Sequence, residues 1–244
     1  MVNKVVTGKI HEIIRYPVKS LQGERLRNTN IKEYGLYGDR SHVFIDETKK
    51  KKYYMATYNQ KLLSYRAEFA GEDKATEYPD VKITAPDGRT FYWHEQACLE
   101  EFKQLTGENQ LYQKTFTPQH VPIGPIEEEH ILILTTSSLK ALERKIGTAI
   151  DWRSFRPNFI VSLDDDTPFI EDQWFGKTMK IGEVELQIKR HCERCTIVNI
   201  EPDTLKANTN ILKTIVKDRN NYFGVYASVI KTGKVSVGDE FSII

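Results

Sequence analysis

The sequence predicts a mainly β protein with a few helices, an α+β chain, and three observations predict it. Apolar and polar residues alternate in several short segments, as at Val184, Leu186 and Ile188, the period of a half-buried strand. Turn-forming runs such as Ala85-Pro86-Asp87-Gly88 separate those segments. Only two stretches carry a convincing helical stripe.

In chain order, residues 5–14 and 42–46 read as strands, the second running into the polar turn Glu47-Thr48-Lys49-Lys50. The basic run 49–52 is a solvated turn. Residues 81–84 and 89–93 flank the Pro-Asp-Gly turn as a hairpin. Residues 95–105 place Cys98, Leu99, Phe102 and Leu105 on one helical face, which Gly107 can end. That stripe makes Cys98 a core residue. Residues 115–125 are polar, carry three prolines and mark a connection, dividing the chain into regions 1–118 and 119–244. A strand at 131–134 precedes a helix at 137–146, with Thr136 or Ser137 as N-cap, Leu139, Leu142 and Ile146 as its stripe and Gly147 at its end. Residues 159–163 resume β structure before a solvated acidic loop, Asp164-Asp165-Asp166. Residues 196–200 are rich in β-branched types and read as a strand, and Glu201-Pro202-Asp203-Thr204 reads as a turn. The tail, 223–244, reads as two strands around Lys231-Thr232-Gly233-Lys234.

With 244 residues the chain can bury a substantial core, in one large domain or two small ones. Its formal net charge is +1, which gives no general pull toward nucleic acid. Three cysteines do not make a disulfide scaffold and fit a reducing compartment. No apolar run reaches the length of a membrane span, and residues 1–20 lack the apolar region of a secretory signal. The expectation is a cytoplasmic protein that binds neither membrane nor nucleic acid.

The richest chemistry lies in His191-Cys192-Glu193-Arg194-Cys195, placed between two strand-like segments. Arg194 supplies a cation beside the thiols, which favours the metal-binding thiolate form. From spacing alone the pair can be half of a zinc site, a redox dithiol or inert. Zinc would want a second ligand pair, which Cys98, His94 and His120 do not supply. A thioredoxin-like site would want a helix after the motif. Three further segments put cations or hydroxyls at strand ends: Tyr16-Pro17-Val18-Lys19-Ser20, Gly38-Asp39-Arg40 and Phe155-Arg156-Pro157-Asn158.

Together these segments resemble the MOSC domain, named for the C-terminus of molybdenum cofactor sulfurases. The closer likeness is to its two-part form, which includes the mitochondrial amidoxime-reducing component and its bacterial relatives. The resemblance continues through Trp174, the run Ile181-Gly182-Glu183-Val184-Glu185-Leu186, Asp203-Thr204, Phe223-Gly224 and residues 233–239. It implies a MOSC-type β-barrel with a smaller N-terminal β-rich domain, strands before about residue 45 joining the main barrel. It implies molybdenum-molybdopterin as cofactor, with Cys195 as catalytic metal ligand. A soft thiolate suits a metal already held by dithiolene sulfurs. Lys19, Ser20, Arg40 and Arg156 would hold the cofactor phosphate, Arg by two parallel donors. Asn158 and Arg194 complete the cofactor-binding set, and Cys192 takes a lesser role.

The implied activity is reduction of N-hydroxylated small molecules, and a non-catalytic carrier of the cofactor or its sulfur is the alternative. The chain departs from the amidoxime-reducing pattern at Glu127-Glu128-Glu129-His130, where those proteins have small hydroxylated residues. Carboxylates facing a phosphate repel it, so either they turn to solvent or the cofactor binds differently. No iron–sulfur cysteine cluster follows Cys195 and no Gly-x-Gly-x-x-Gly loop is present. A reductase would therefore draw on a separate electron-donor protein.

Overall fold

The computed structural model describes residues 6–126 and 128–244. Val5, at the edge of the first expected strand, and Glu127 of the acidic run lie outside the described residues. The first strands are β1 Val6–Arg15, β2 Glu24–Leu26, β3 Asn28–Lys32, β4 Gly35–Leu36 and β5 His42–Ile45. Next come β6 Arg66–Phe69, β7 Val81–Thr84, β8 Thr90–Tyr92 and β9 Tyr112–Thr115. The second half contributes β10 Ile131–Thr135, β11 Phe159–Leu163, β12 Thr178–Ile181 and β13 Val184–Glu193. It finishes with β14 Tyr222–Lys231, β15 Gly233–Ser236 and β16 Glu240–Ile243. The helices are α1 Gln96–Thr106, α2 Ile123–Ile126, α3 Thr136–Ile146 and α4 Asn210–Arg219.

The main sheet runs β11-β10-β14-β13-β12-β16-β1, and β1 pairs again with β11 to close a seven-stranded barrel, with β2 beside β1. Closure works because β1 is paired along both edges, with β16 from Val6 to Lys9 and with β11 from Gly8 to Ile13. The parallel pair, β10 with β11, is joined through α3, as a parallel connection requires. Ile13, Ile133, Phe159, Trp174, Leu186 and Val225 fill the interior. The outer face of β10 is buried too, because Leu134 packs under Leu139 and Leu142 of α3 and Ile211 and Ile215 of α4. All five β10 residues are therefore buried, which explains its continuous apolar run. Gly224 lets β14 approach β10: a Cβ there would lie 2.3 Å from Leu134, on a backbone with φ of 80°.

Residues between β4 and β10 build a second lobe with its own core, in which α1 packs Cys98 and Phe102 against Phe44, Tyr65 and Trp93. Burial pushes the Cys98 thiol up to about 12, so it stays protonated and acts as a small apolar side chain. Strands β1 and β2 belong to the barrel sheet, and β3 pairs with β15 from the chain's end. The N-terminal segments thus straddle the two lobes.

Four local expectations are corrected. Residues Thr196–Asn199 form a 3-10 turn, not a strand, because Ile197 and Val198 bury into two different clusters, with Ala56 and with Phe155 respectively. The tail holds three strands, each paired with a different partner. The α3 N-cap is Thr135, whose side chain accepts from the Ser138 N–H. Helix α4 was not expected: only Ile211 and Ile215 are buried on it, and Val216 is exposed, so its apolar stripe is too narrow to read.

Candidate functional site

The site is built where three backbone turns meet. Leaving β1, Tyr16-Pro17-Val18 runs beside β5, with Val18 bridged to His42 and the Lys19 N–H donating to His42 O at 2.9 Å. Ser20, Arg40 and Arg156 all adopt left-handed backbone, at φ of 73°, 49° and 57°. Such conformations are uncommon for residues with side chains and concentrate where function demands them. Here three of the four residues expected to hold the phosphate share them.

Asp39 organises the floor. It is fully buried, accepts from the Tyr16 N–H at 2.8 Å and from Asn158 Nδ2 at 3.1 Å, and is ion-paired with Arg40. Asn158 Oδ1 accepts from the Leu132 N–H at 3.1 Å and from Arg40 Nη1 at 3.2 Å, and Nδ2 also reaches Ile14 O at 3.3 Å. The amide of Asn158 is engaged at both ends, so in this arrangement it holds Arg40 and Asp39 in place. The Tyr16 ring carries both arginines, Arg40 at 4.6 Å and Arg156 at 4.4 Å. Burial pushes its phenol up to about 12, against the pull of both guanidiniums. It stays protonated and donates to Pro157 O at 3.1 Å. Lys19 is 3% exposed with Nζ donating to Pro125 O at 2.9 Å, and Arg156 Nη1 reaches Leu21 O at 2.8 Å.

The cysteines arrive on the far wall. Along β13, Val184, Leu186 and Ile188 point into the barrel, and the same period would point Cys192 inward. A register shift between Ile188 and Arg190 inserts an extra residue and turns Cys192 outward, against Leu132 and Tyr226. Arg194 donates from Nη1 to Cys192 Sγ at 2.8 Å and from Nη2 to Phe155 O at 2.6 Å, while its buried Nε has no partner among the described residues. The cation beside the pair thus contacts Cys192, and Cys195 is exposed.

One cleft of about 310 Å³ is lined by Lys19, Ser20, Arg40, Arg156, Asn158, Arg194 and Cys195 together. Sequence reasoning missed Met55, Ala56 and Thr57, whose loop is fixed by Ala56 N–H donating to Ser20 Oγ at 3.0 Å, and Tyr226 on β14. No periodicity or motif marks that loop. Glu128 and Glu129 lie on the cleft and face Arg190 at 3.4 and 3.7 Å, so their charge is partly answered by a cation. A larger cavity of about 420 Å³ shares Arg156 with it and is also lined by Tyr16, but contains no thiol. Among the described residues one group of carboxylates could share a cation, Asp151, Glu201 and Asp203, and Arg153 already occupies it, at 2.6 Å from Asp203.

His42 borders this region. It packs edge-on against Trp93 with ring centroids 5.3 Å apart, and Ser41 Oγ lies 2.9 Å from its Nδ1. Burial lowers its pKa from 6.5 to about 3, so it is neutral in the folded state at pH 7. The unfolded chain takes up this proton below pH 6.5 and the folded chain only near 3. His42's contribution is therefore complete above pH 6.5 and is lost as pH falls toward 3, with a slope of about 1.4 kcal/mol per pH unit. Denaturant titrations between those limits should show His42→Phe with a slope smaller by about one proton. An unchanged slope would mean that His42 titrates normally.

Comparison with known proteins identifies the family. The MOSC domain matches residues 93–242, and the MOSC N-terminal beta barrel domain matches residues 7–117. The chain belongs to the MOSC domain family. It is similar to mitochondrial amidoxime reducing component 2 of Homo sapiens, 34% identical over 122 residues, covering 45% of this chain and 35% of the relative. It is also similar to molybdenum cofactor sulfurase of Drosophila pseudoobscura pseudoobscura, 26% identical over 163 residues, covering 65% of this chain and 20% of that protein. The matched part therefore spans about a third or less of these relatives. The YUAD protein from Bacillus subtilis has the same fold, with a TM-score of 0.53 at 13% identity, over 98% of this chain and 97% of that one. Among the described residues no helix is long and apolar enough to cross a membrane.

Proposed function

We propose that this chain binds molybdenum-molybdopterin and reduces N-hydroxylated compounds. The observation that carries the reading is the single cleft in which Lys19, Arg40 and Arg194, all less than a tenth exposed, face an accessible thiol, Cys195. Buried cations call for anions, and Asp39 supplies one to Arg40. Among the described residues the buried Nε of Arg194 has no partner, so this cation is not fully answered by the protein groups described. These features fit a ligand with a phosphate at one end and a thiophilic metal at the other. Family membership and the names of the relatives support the same cofactor class.

In this reading Lys19, Ser20, Arg40 and Arg156 hold the phosphate and Cys195 provides the protein sulfur to the metal. When bound, the cofactor supplies the two-electron chemistry that removes oxygen from an N–O bond as water. The protein holds the cofactor in one orientation on turns fixed by Asp39 and Asn158, and it leaves the Cys195 side accessible. The exposure of Cys195 also suits a carrier that passes on the cofactor or its sulfur. A separate electron-donor protein and a cytoplasmic location belong to the same proposal.

Protein produced in a host that makes the cofactor should contain molybdenum and pterin in near-equal amounts. With a reduced dye it should turn over benzamidoxime. Cofactor bound without turnover would favour the carrier, and protein free of both metal and pterin would overturn the cofactor reading.

A further inference from the structure

Cys192 is 3% exposed, turns away from the barrel interior and lies on the wall of the same cleft, whereas the thiol three residues later is exposed. Packing alone would explain a small apolar residue against Leu132 and Tyr226. It does not explain the guanidinium contact. Arg194 is 8% exposed and is clamped from two sides: Nη1 on Cys192 Sγ at 2.8 Å and Nη2 on Phe155 O at 2.6 Å. Its carbon Cζ lies 5.1 Å from the centroid of the Phe155 ring, which fixes the plane of the fork. With both ends tied, the buried Nε–H has no acceptor among the described residues. A buried cation is unfavourable unless an anion answers it. Arg194 lines the cleft and precedes Cys195 in the chain, and Cys195 lines it too.

We propose that Cys192 is a positioning residue whose sulfur clamps Arg194, so that its guanidinium charge is held beside Cys195 and favours an anionic ligand there. This deepens the function proposed above by adding a fixed cation next to the reacting thiol. The cation belongs to this chain whether or not the ligand is a molybdenum cofactor. The acceptor on Cys192 matters, not its nucleophilicity, so serine can replace it and alanine cannot.

The test uses cofactor-free full chain and compares two thiol reagents on Cys195, anionic 5,5′-dithiobis(2-nitrobenzoate) and neutral iodoacetamide. Cys98 and Cys192 are buried, so the fast phase reports the exposed thiol. The anionic-to-neutral rate ratio should fall by roughly tenfold in Cys192→Ala and in Arg194→Gln, as expected when a charge-assisted contact is lost. Cys192→Ser should restore most of it. A ratio unchanged in a folded Cys192→Ala protein would overturn the proposal and leave Cys192 as packing only. A fall in Cys192→Ala that Cys192→Ser does not rescue would also overturn it, since the acceptor would then be irrelevant. The ratio needs no cofactor. A protein lacking molybdenum but behaving as stated would overturn the function and keep the clamp.

Discussion

Replacing Cys195 by serine is expected to abolish reduction of N-hydroxylated substrates, with a loss of more than about 100-fold, beyond what outer partners of a metal ligand typically carry. Serine offers a hard and largely protonated oxygen where a soft thiolate is wanted. The phosphate contacts proposed for Lys19, Arg40 and Arg156 lie on other segments, so part of the cofactor should still bind. Molybdenum X-ray absorption should lose one Mo–S contribution in this variant only. Cys192→Ser should keep most activity, since its oxygen can still accept from Arg194. Equal losses in both variants would point to a dithiol or a zinc-type pair and would remove Cys195 from its special place.

Arg40→Ala should destabilise the fold itself, by about 3–5 kcal/mol, because it leaves the fully buried Asp39 without its cation. The loss extends past one pair. Arg40 also donates to Asn158 Oδ1 and rests on the Tyr16 ring, and both tie β1 to the turn before β11. Chemical denaturation checks the magnitude. Adding Asp39→Asn to Arg40→Ala should recover much of it by removing the stranded charge. A change below about 0.5 kcal/mol for Arg40→Ala alone, the size of an ordinary surface substitution, would show that Asp39 finds other compensation. Arg40→Lys keeps the charge but not the two-pronged fork, so it is the variant with which to measure cofactor occupancy.

Much of the architecture was legible because it depends on local periodicity. The stripe of Cys98 and Phe102 gave α1, and the alternation of Val184, Leu186 and Ile188 gave the start of β13. Periodicity failed where tertiary contacts overrode it. Thr196–Asn199 has a strand's composition but turns, because two neighbouring side chains serve different cores. The bulge after Ile188 left no mark in the sequence, yet it decides which way Cys192 faces.

The candidate site divides along the same line. Side-chain chemistry is a local property: two thiols, cations at three turns and a buried-type amide were present to be read in order along the chain. Partnership is not local. Asp39 and Asn158 meet across 119 positions, and Arg194 reaches the carbonyl of Phe155 across 39. The sequence alone therefore determined which chemical groups this protein can bring to a ligand. The tertiary structure decided that Asn158 is engaged in holding Arg40 and that Arg194 is clamped by Cys192. It also left Cys195 as the accessible thiol, because closing the barrel fixes which distant groups share a small buried space where a polar atom must find a partner.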